Sequence, residues 1–525
     1  MVDALSLITT RATPQTEQAD PRQAQNNAGG YSFVLDDESR LDRFLVTGVD
    51  SGTYYVNAKD LAVDNAQVVM RLAKSDGEYL VRRVVEISTA GRAPKQNAGV
   101  FALAMASVLG NDATRSAAYR AIPDVCRTGT TLFMLAKYRK QFGGSSRGWR
   151  NAVGRWYLGK NADDLAYQVI KYRQREGWTH RDLLRKVRPN PTDTHDARLR
   201  TVLRWAAGHE VDVSGVPFLE GYVKANEPGA NVAKAVADYG LPWEALPDEA
   251  LGRTDVWNAL LDRHMPLGAL VRQLPRLTRL GLLPQMGGRT ADVVAQITDG
   301  DRLRKSRIHP MRILLAHKTY EQGHSEQGSS TWTPTRQVID ALDSAFYAAY
   351  GNVKPTGKRT LLALDVSGSM GMFSVGPITC REASAAIALV TANVEPNCAI
   401  VGYSNTLVEL DISPRQRLSD AVRKISSLPF QSTDCRLPFR VAKQEKWALD
   451  TVVSMTDNET WAGPQHMHQA LADYRADSGI PARSIVLGMT ATGFTVNDPA
   501  DPLGMDIGGF DGSVPQLISD FSAGV

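Results

Sequence analysis

Cysteine is scarce, with Cys126, Cys380, Cys398 and Cys435 the only four in 525 residues. They have no metal-ligand spacing and are too sparse for a disulfide framework, which excludes zinc-stapled and disulfide-rich secreted classes. Cys398 falls in a strand pattern and Cys126 in an apolar helix pattern, where a buried free thiol is the ordinary role. No uninterrupted apolar run reaches membrane-spanning length. The opening MVDALSLITTRATPQ has no basic region followed by an apolar core, so no secretory leader and a cytoplasmic location are expected. Catalytic patterns are missing as well. GNVKPTGKRT looks like a phosphate loop, but it has five residues between its glycines, Arg359 where Ser or Thr should meet Mg²⁺, and a strand after it instead of before it. His180, His264 and His309 make no metal pair at helical spacing; capping and packing account for them. No Ser/His/Asp or Cys/His arrangement has motif support. A protein without catalytic activity is expected.

What is present describes a soluble, multidomain chain. Hydrophobic content of 43% and charged content of 22% are those of globular proteins, and the length suits two to three domains. The net charge of +4 hides an asymmetry. Residues 357–525 hold 13 Lys and Arg against 18 Asp and Glu, and residues 1–356 hold 47 against 38. A basic segment beside an acidic one suggests a polyanion partner for the first, although a solvated surface explains so modest an excess nearly as well.

Five oxygen-bearing side chains stand out in the last third: Asp365, Ser367 and Ser369 in LLALDVSGSM, Thr433 in QSTDCRLP and Asp457 in TVVSMTDNET. The first three follow an apolar run that reads as a buried strand, and Asp457 follows another. In an open α/β sheet, ligands bind beyond the carboxyl ends of the strands, so these loops are expected to converge. Carboxylates and hydroxyls are the hard donors that suit Mg²⁺ or another divalent cation. The alternative for Asp365 is a turn or N-cap role, with the serines bonding nearby backbone. The spacing resembles the metal-ion-dependent adhesion site (MIDAS) of von Willebrand factor A domains. Only one metal's worth of ligands is visible, which argues against two-metal hydrolysis. Strand patterns at 360–365, 398–403, 451–456 and 484–490 alternate with helical ones at 381–394, 414–427 and 464–476. That alternation predicts βαβ units around a mainly parallel sheet.

The first part reads differently. Residues 1–26 look like a flexible tail rich in Gln, Asn, Ala and Thr. Beyond Gly110 the pattern is helical with short connections, at 111–125, 130–141, 147–157, 163–176, 193–207, 254–264 and 267–280. Such density suggests stacked helix pairs with curved binding faces. In KNADDLAYQVIKYRQREGWTHRDLLRKVRPNP, Asn161 is a plausible N-cap and Gly177 a C-terminal stop. Lys171 and Arg175 then fall at i and i+4 on one helix face. Thr179 with Asp182 makes a capping box for a second helix ending at Arg188 before Pro189. Lys171, Arg175, His180, Arg181, Arg185, Lys186 and Arg188 crowd this hairpin; the alternative is a solvated basic face. Tyr138, Trp149 and Tyr172 are candidates for base stacking, with core packing the bland alternative.

Long segments resemble the Ro ribonucleoprotein (TROVE-domain) family, bacterial members included. They are SGTYYV at Ser51, GRAPKQ at Gly91, KYRQREGWTHRDLLR at Lys171, MPLGALVRQL at Met265, RIHP at Arg307, PTGKRTLLALDVSGSM at Pro355, TDCRLP at Thr433, TDNETWAG at Thr456 and GMTATGFTVNDP at Gly488. The resemblance implies a ring-shaped domain of HEAT-like α-helical repeats over 27–356, closed by a doubly wound von Willebrand factor A-like domain over 357–525. It implies small noncoding Y RNA on the outer basic surface, with single-stranded ends of misfolded or structured RNAs in a central hole. Lys171 and Arg175 match basic positions of the family implicated in Y RNA binding. Arg188 stands where vertebrate members have histidine, which keeps the charge and frees it from pH. Arg92, Lys95, Arg272 and Arg276 are placed near the hole, and Lys137 and His180 complete the residues expected to touch RNA. The further expectations are a monomer that acts in RNA quality control or processing, an exoribonuclease partner such as polynucleotide phosphorylase, and no membrane partner. A second reading stays open: a protein-interaction module whose metal completes its shell with a partner's carboxylate.

Overall fold

The computed structural model describes residues 12–26, 28–34, 37–47, 67–90, 93, 96–190, 195–325, 328–372, 374–375, 377–428, 432–456, 460–489, 494–508 and 514–524. Contacts divide them into two compact units. One holds the described residues of 12–47, 307–322 and 342–524, the other those of 67–306 and 323–341. The first unit begins with β1 (Gln23–Gln25), β2 (Tyr31–Val34) and α1 (Asp37–Thr47).

The second unit is helical. Gln67–Ser75, Gly77–Thr89, Asn97–Leu109 and Asp112–Val125 lead into α2 (Gly129–Phe142), followed by Arg147–Leu158 and α3 (Ala162–Lys171). A two-stranded hairpin, β3 (Gln174–Arg175) and β4 (Trp178–Thr179), then precedes α4 (His180–Val187). Later helices include Ala197–Ala206, Thr254–Asp262 and α5 (Leu267–Arg279). Side-chain caps start many of them: Asn111 accepts from Thr114 N–H, Asn161 from Asp164 N–H, and Thr179 forms a capping box with Asp182. Each such cap contributes about 1 kcal/mol. Leu165 and Val169 of α3 and Leu183, Leu184 and Val187 of α4 are buried, as the 3.6-residue period requires.

The helix expected to run to Glu176 stops at Lys171, with Tyr172 as its C-cap. Glu176 and Gly177 have φ of 54° and 74°, the two consecutive positive values of a two-residue hairpin turn. Gly177 therefore serves a strand turn and is not a helix stop. Arg175 leaves the helix and does not sit one turn beyond Lys171.

The first unit is built on a six-stranded sheet. Its strands are β5 (Thr360–Asp365), β6 (Cys398–Tyr403), β7 (Leu407–Glu409), β8 (Thr451–Thr456), β9 (Arg483–Gly488) and β11 (Gly504–Gly508); β10 (Phe494–Thr495) belongs elsewhere. The order is β11-β9-β8-β5-β6-β7, parallel except for the β6–β7 hairpin at the edge. All six residues of β5 and of β8 are buried, so their apolar runs are flanked by buried hydroxyls and, in β5, by Asp365. Helix α6 (Cys380–Val394) crosses over from β5 to β6. The chain moves one way from β5 to β6 and the other way from β8 to β9. The carboxyl ends of β5 and β8 therefore form the topological switch point.

Residues 12–26, expected as part of a flexible tail, are folded onto this unit. β1 pairs with β2, and β2 with β10, in a small antiparallel sheet. Gln15, Gln23 and Asn26 are buried. Polar composition misled here because Gln23 and Asn26 find hydrogen-bond partners more than 400 residues away, at His466 and Thr460. Helix α1 is held likewise, by an ion pair between fully buried Arg43 and Asp506 of β11.

Candidate nucleic-acid interface and metal centre

Around α3, the hairpin and α4, positive charge is left without neutralisation. Arg175, Arg181, Arg185, Lys186 and Arg188 are exposed, and none has a carboxylate partner among the described residues. Elsewhere in the same unit some exposed arginines are paired, such as Arg198 with Asp163 and Arg253 with Asp255, and others such as Arg150 and Arg204 are not; the α4 face differs in how closely its unpaired cations are spaced. Arg188 caps α4 in the left-handed region at φ 48°, its Nε donating to the Arg185 carbonyl. Lys171 ends α3 above the ring of exposed Tyr167, donating to its hydroxyl at 2.6 Å, with Glu244 3.9 Å away. Burial works against its charge, yet the Tyr167 hydroxyl and Glu244 outweigh that and raise its pKa.

A cleft of about 670 Å³ lies between α2, the hairpin and α4, lined by Lys137, Lys140, Trp178 and Lys186 among others. Lys137 is bridged to Glu176 at 2.5 Å, and Lys186 sits 4.9 Å over the Trp178 ring. Trp178, Tyr172 and Tyr167 are partly exposed aromatics here. Tyr138 and Trp149, read as stacking candidates, are buried core residues; Tyr172 is half-buried. Tyr167 and Trp178 are not among the stacking candidates read from the sequence, because a helix over 163–176 gave no reason to expect a strand face at Trp178.

His180 does not join this face. It is 4% exposed, its Nδ1 lies 2.8 Å from the Tyr157 hydroxyl, and its ring packs on Phe133. Burial pulls its pKa down to about 3, so it is neutral near pH 7. The expected RNA contact at His180 is corrected to a core role. On α5, Arg272 is exposed. Arg276 lies over Trp243 and Trp257 at 5.8 and 5.7 Å, and burial lowers its pKa. Arg92 and Lys95 lie outside the described residues.

The second candidate site is at the switch point. Asp365 ends β5 and is 2% exposed; Ser367 and Thr433 are 7% and 5% exposed. Ser367 N–H donates to Asp365 Oδ1 at 2.8 Å, and Thr456 Oγ1 donates to Oδ2 at 2.9 Å. The Thr433 loop reaches the same place. Cys435 Sγ is 3.7 Å from the hydroxyl of Tyr403, whose backbone is in register with Asp365. Burial, followed by the Asp365 charge, pushes the Cys435 thiol up to about 12. Ser369 opens a four-residue helix, Ser369–Met372; its side chain and Asp457 lie outside the described residues. Arg381 of α6, which no motif marked, donates to the Ser367 carbonyl at 3.1 Å. Among the described residues no three His, Cys, Asp or Glu side chains cluster for a metal. The set at β5 is instead one carboxylate with hydroxyls, hard oxygens of the kind that suits Mg²⁺.

Fold and sites define a class: a helical-repeat TROVE protein carrying an A-type domain with a strand-end oxygen cluster. The TROVE domain model matches residues 24–214 and 241–319, and the Ro60 vWA domain model matches residues 359–522. The chain belongs to the Ro60 family. It is 38% identical to the RNA-binding protein RO60 of Deinococcus radiodurans over 534 residues, covering all of both chains. Identity to the RNA-binding protein RO60 of Caenorhabditis elegans is 34% over 594 residues, with 98% of this chain and 92% of that protein covered. The crystal structure of the D. radiodurans RO (RSR) protein matches with a TM-score of 0.78 at 37% identity, covering 93% of this chain and all of that one. No helix among the described residues is long and apolar enough to cross a membrane.

Proposed function

We propose that this chain is a non-catalytic RNA-binding adaptor that holds small noncoding Y RNA on the α3–hairpin–α4 face and acts in RNA quality control. One observation carries the reading: five exposed cations, Arg175, Arg181, Arg185, Lys186 and Arg188, stand within fourteen residues without a carboxylate partner among the described residues. Such charges release counterions from a phosphate backbone, so affinity is salt-dependent and nearly blind to sequence. Lys171 and Tyr167 add a charge and an aromatic face at one edge of the patch. The family expectation that single-stranded ends of misfolded or structured RNAs enter a central hole belongs to the same proposal, with Arg272 its exposed residue. An exoribonuclease such as polynucleotide phosphorylase would then act on RNA that the chain presents, in the cytoplasm.

The second reading concerns the A-type domain. Buried Asp365, Ser367 and Thr433 favour a Mg²⁺ site of the MIDAS kind, completed by Ser369 and Asp457 and open to a partner's carboxylate. The two readings are separable. Titrating structured RNA against the chain in rising salt, with and without EDTA, should show affinity that falls with salt and ignores the chelator. Affinity that collapses with EDTA at constant ionic strength would move RNA to the metal site and end the first reading.

A further inference from the structure

The described residues of 12–34 make their contacts where they bear on the strand-end site. Gln15 N–H donates to the Gly463 carbonyl at 3.0 Å, and Tyr31 N–H to the Gln15 carbonyl at 2.9 Å. Buried Asn26 donates from Nδ2 to the Thr460 carbonyl at 2.7 Å, while its Oδ1 accepts from Gly30 N–H at 3.0 Å. Gly30 is pressed so close that a Cβ there would come within 2.2 Å of the Thr460 carbonyl oxygen. His466 links Gln23 and the Glu17 carbonyl, at 3.2 and 2.8 Å. The segment is a strap laid across residues 460–466.

The same stretch holds Thr433 from its other side. Thr460 Oγ1 donates to the Thr433 carbonyl at 3.1 Å, and Ala462 N–H donates to that carbonyl at 3.3 Å. Gly463 abuts the buried Asp434–Arg436 ion pair, where a Cβ would meet Asp434 Oδ2 at 2.7 Å. Asp365 is fixed by its place at the end of a paired strand. Thr433 lies in no strand, so its position depends on these loop bonds and on Asp434 N–H donating to the Ser404 carbonyl at 2.9 Å.

We propose that the strap is a positioning element for the metal site: Asn26 and Thr460 set the Thr433 backbone, so metal binding and strap docking stabilise each other. The inference rests on the metal reading of Asp365, Ser367 and Thr433. Residues that orient metal ligands from behind change affinity about ten- to a hundredfold, and coupling between two sites is reciprocal.

Mn²⁺ binding to the full chain, read from the EPR signal of the free ion, tests it. Thr460→Val keeps the shape and removes the donor; affinity falls about ten- to a hundredfold, and Thr460→Ser restores it. Asn26→Asp, which loses the bond to the Thr460 carbonyl, weakens Mn²⁺ as well. In the unaltered chain, Mn²⁺ slows tryptic cleavage after Arg22, since cutting there needs local opening of the strap. That protection is lost in Asp365→Ala. Wild-type affinity in both Thr460→Val and Asn26→Asp overturns the proposal, as does cleavage after Arg22 that ignores Mn²⁺. If Asp365→Ala still abolishes Mn²⁺ binding in either case, the metal site itself stands. An Asp365→Ala chain that binds Mn²⁺ as before overturns site and strap coupling together.

Discussion

Arg181, Arg185, Lys186 and Arg188 stand in solvent with no carboxylate partner among the described residues, whereas Asp365 is 2% exposed and takes hydrogen bonds from Ser367 and Thr456. The first arrangement keeps its charge hydrated and available to any polyanion, at the cost of screening by salt. The second removes a carboxylate from water and surrounds it with oriented donors, so its charge is far less open to screening by salt. Two chemically different surfaces thus sit in one chain, an exposed cationic patch and a buried carboxylate held by donors.

The contrast can be broken by experiment. The largest effect should come from reversing charge: Arg181→Glu with Arg185→Glu should weaken structured RNA about a thousandfold or more at low salt and leave Mn²⁺ binding unchanged. RNA affinity that survives this pair would remove the α4 face from the interface. Salt comes next. With about five phosphates neutralised, a fourfold rise in salt should lower affinity roughly 10²–10³-fold, and a flat titration would point to stacking or base contacts. Lys171→Ala with Arg175→Ala should cost only several-fold, because Lys171 already shares its charge with Tyr167 and Glu244; circular dichroism should show the helices intact.

His180 sharpens the comparison through pH. Its pKa falls from near 6.5 in the unfolded chain to about 3 in the native core. A group depressed in this way binds its proton in the unfolded state first. Its contribution is therefore complete above pH 6.5, and stability declines by about 1.4 kcal/mol per pH unit as pH falls towards 3. Urea unfolding of the unaltered chain and of His180→Gln between pH 7 and pH 5 should show the shallower slope in the variant. RNA affinity should not follow His180 over that range. The smallest effect belongs to the hairpin: Gly177→Ala places a side chain at φ 74° and should cost about 1 kcal/mol. That loss would be visible as faster amide exchange in the hairpin.

Much of the fold was readable from local pattern. The strands at 360–365, 398–403 and 451–456 fall where their apolar runs lie, because a strand buried on both faces is rich in apolar residues. Short edge elements such as Leu407–Glu409 and Gly504–Gly508 escaped notice, having too few residues to show a period. On the candidate sites, the basic cluster and the DxSxS spacing were visible in the chain. The neutral burial of His180, the aromatic face of Trp178 and the approach of Arg381 were not.

Sequence alone determined the caps at Asn161 and Thr179, the buried strands and the density of charge after Gly177, because each rests on residues only a few positions apart. Tertiary structure decided which charges stay unpaired, that α3 ends at Lys171, and that the described residues of 12–34 fold back onto the loop at Thr460. Those outcomes depend on partners such as Asn26 and Thr460, separated by 434 residues, and no local propensity contains a contact at that distance.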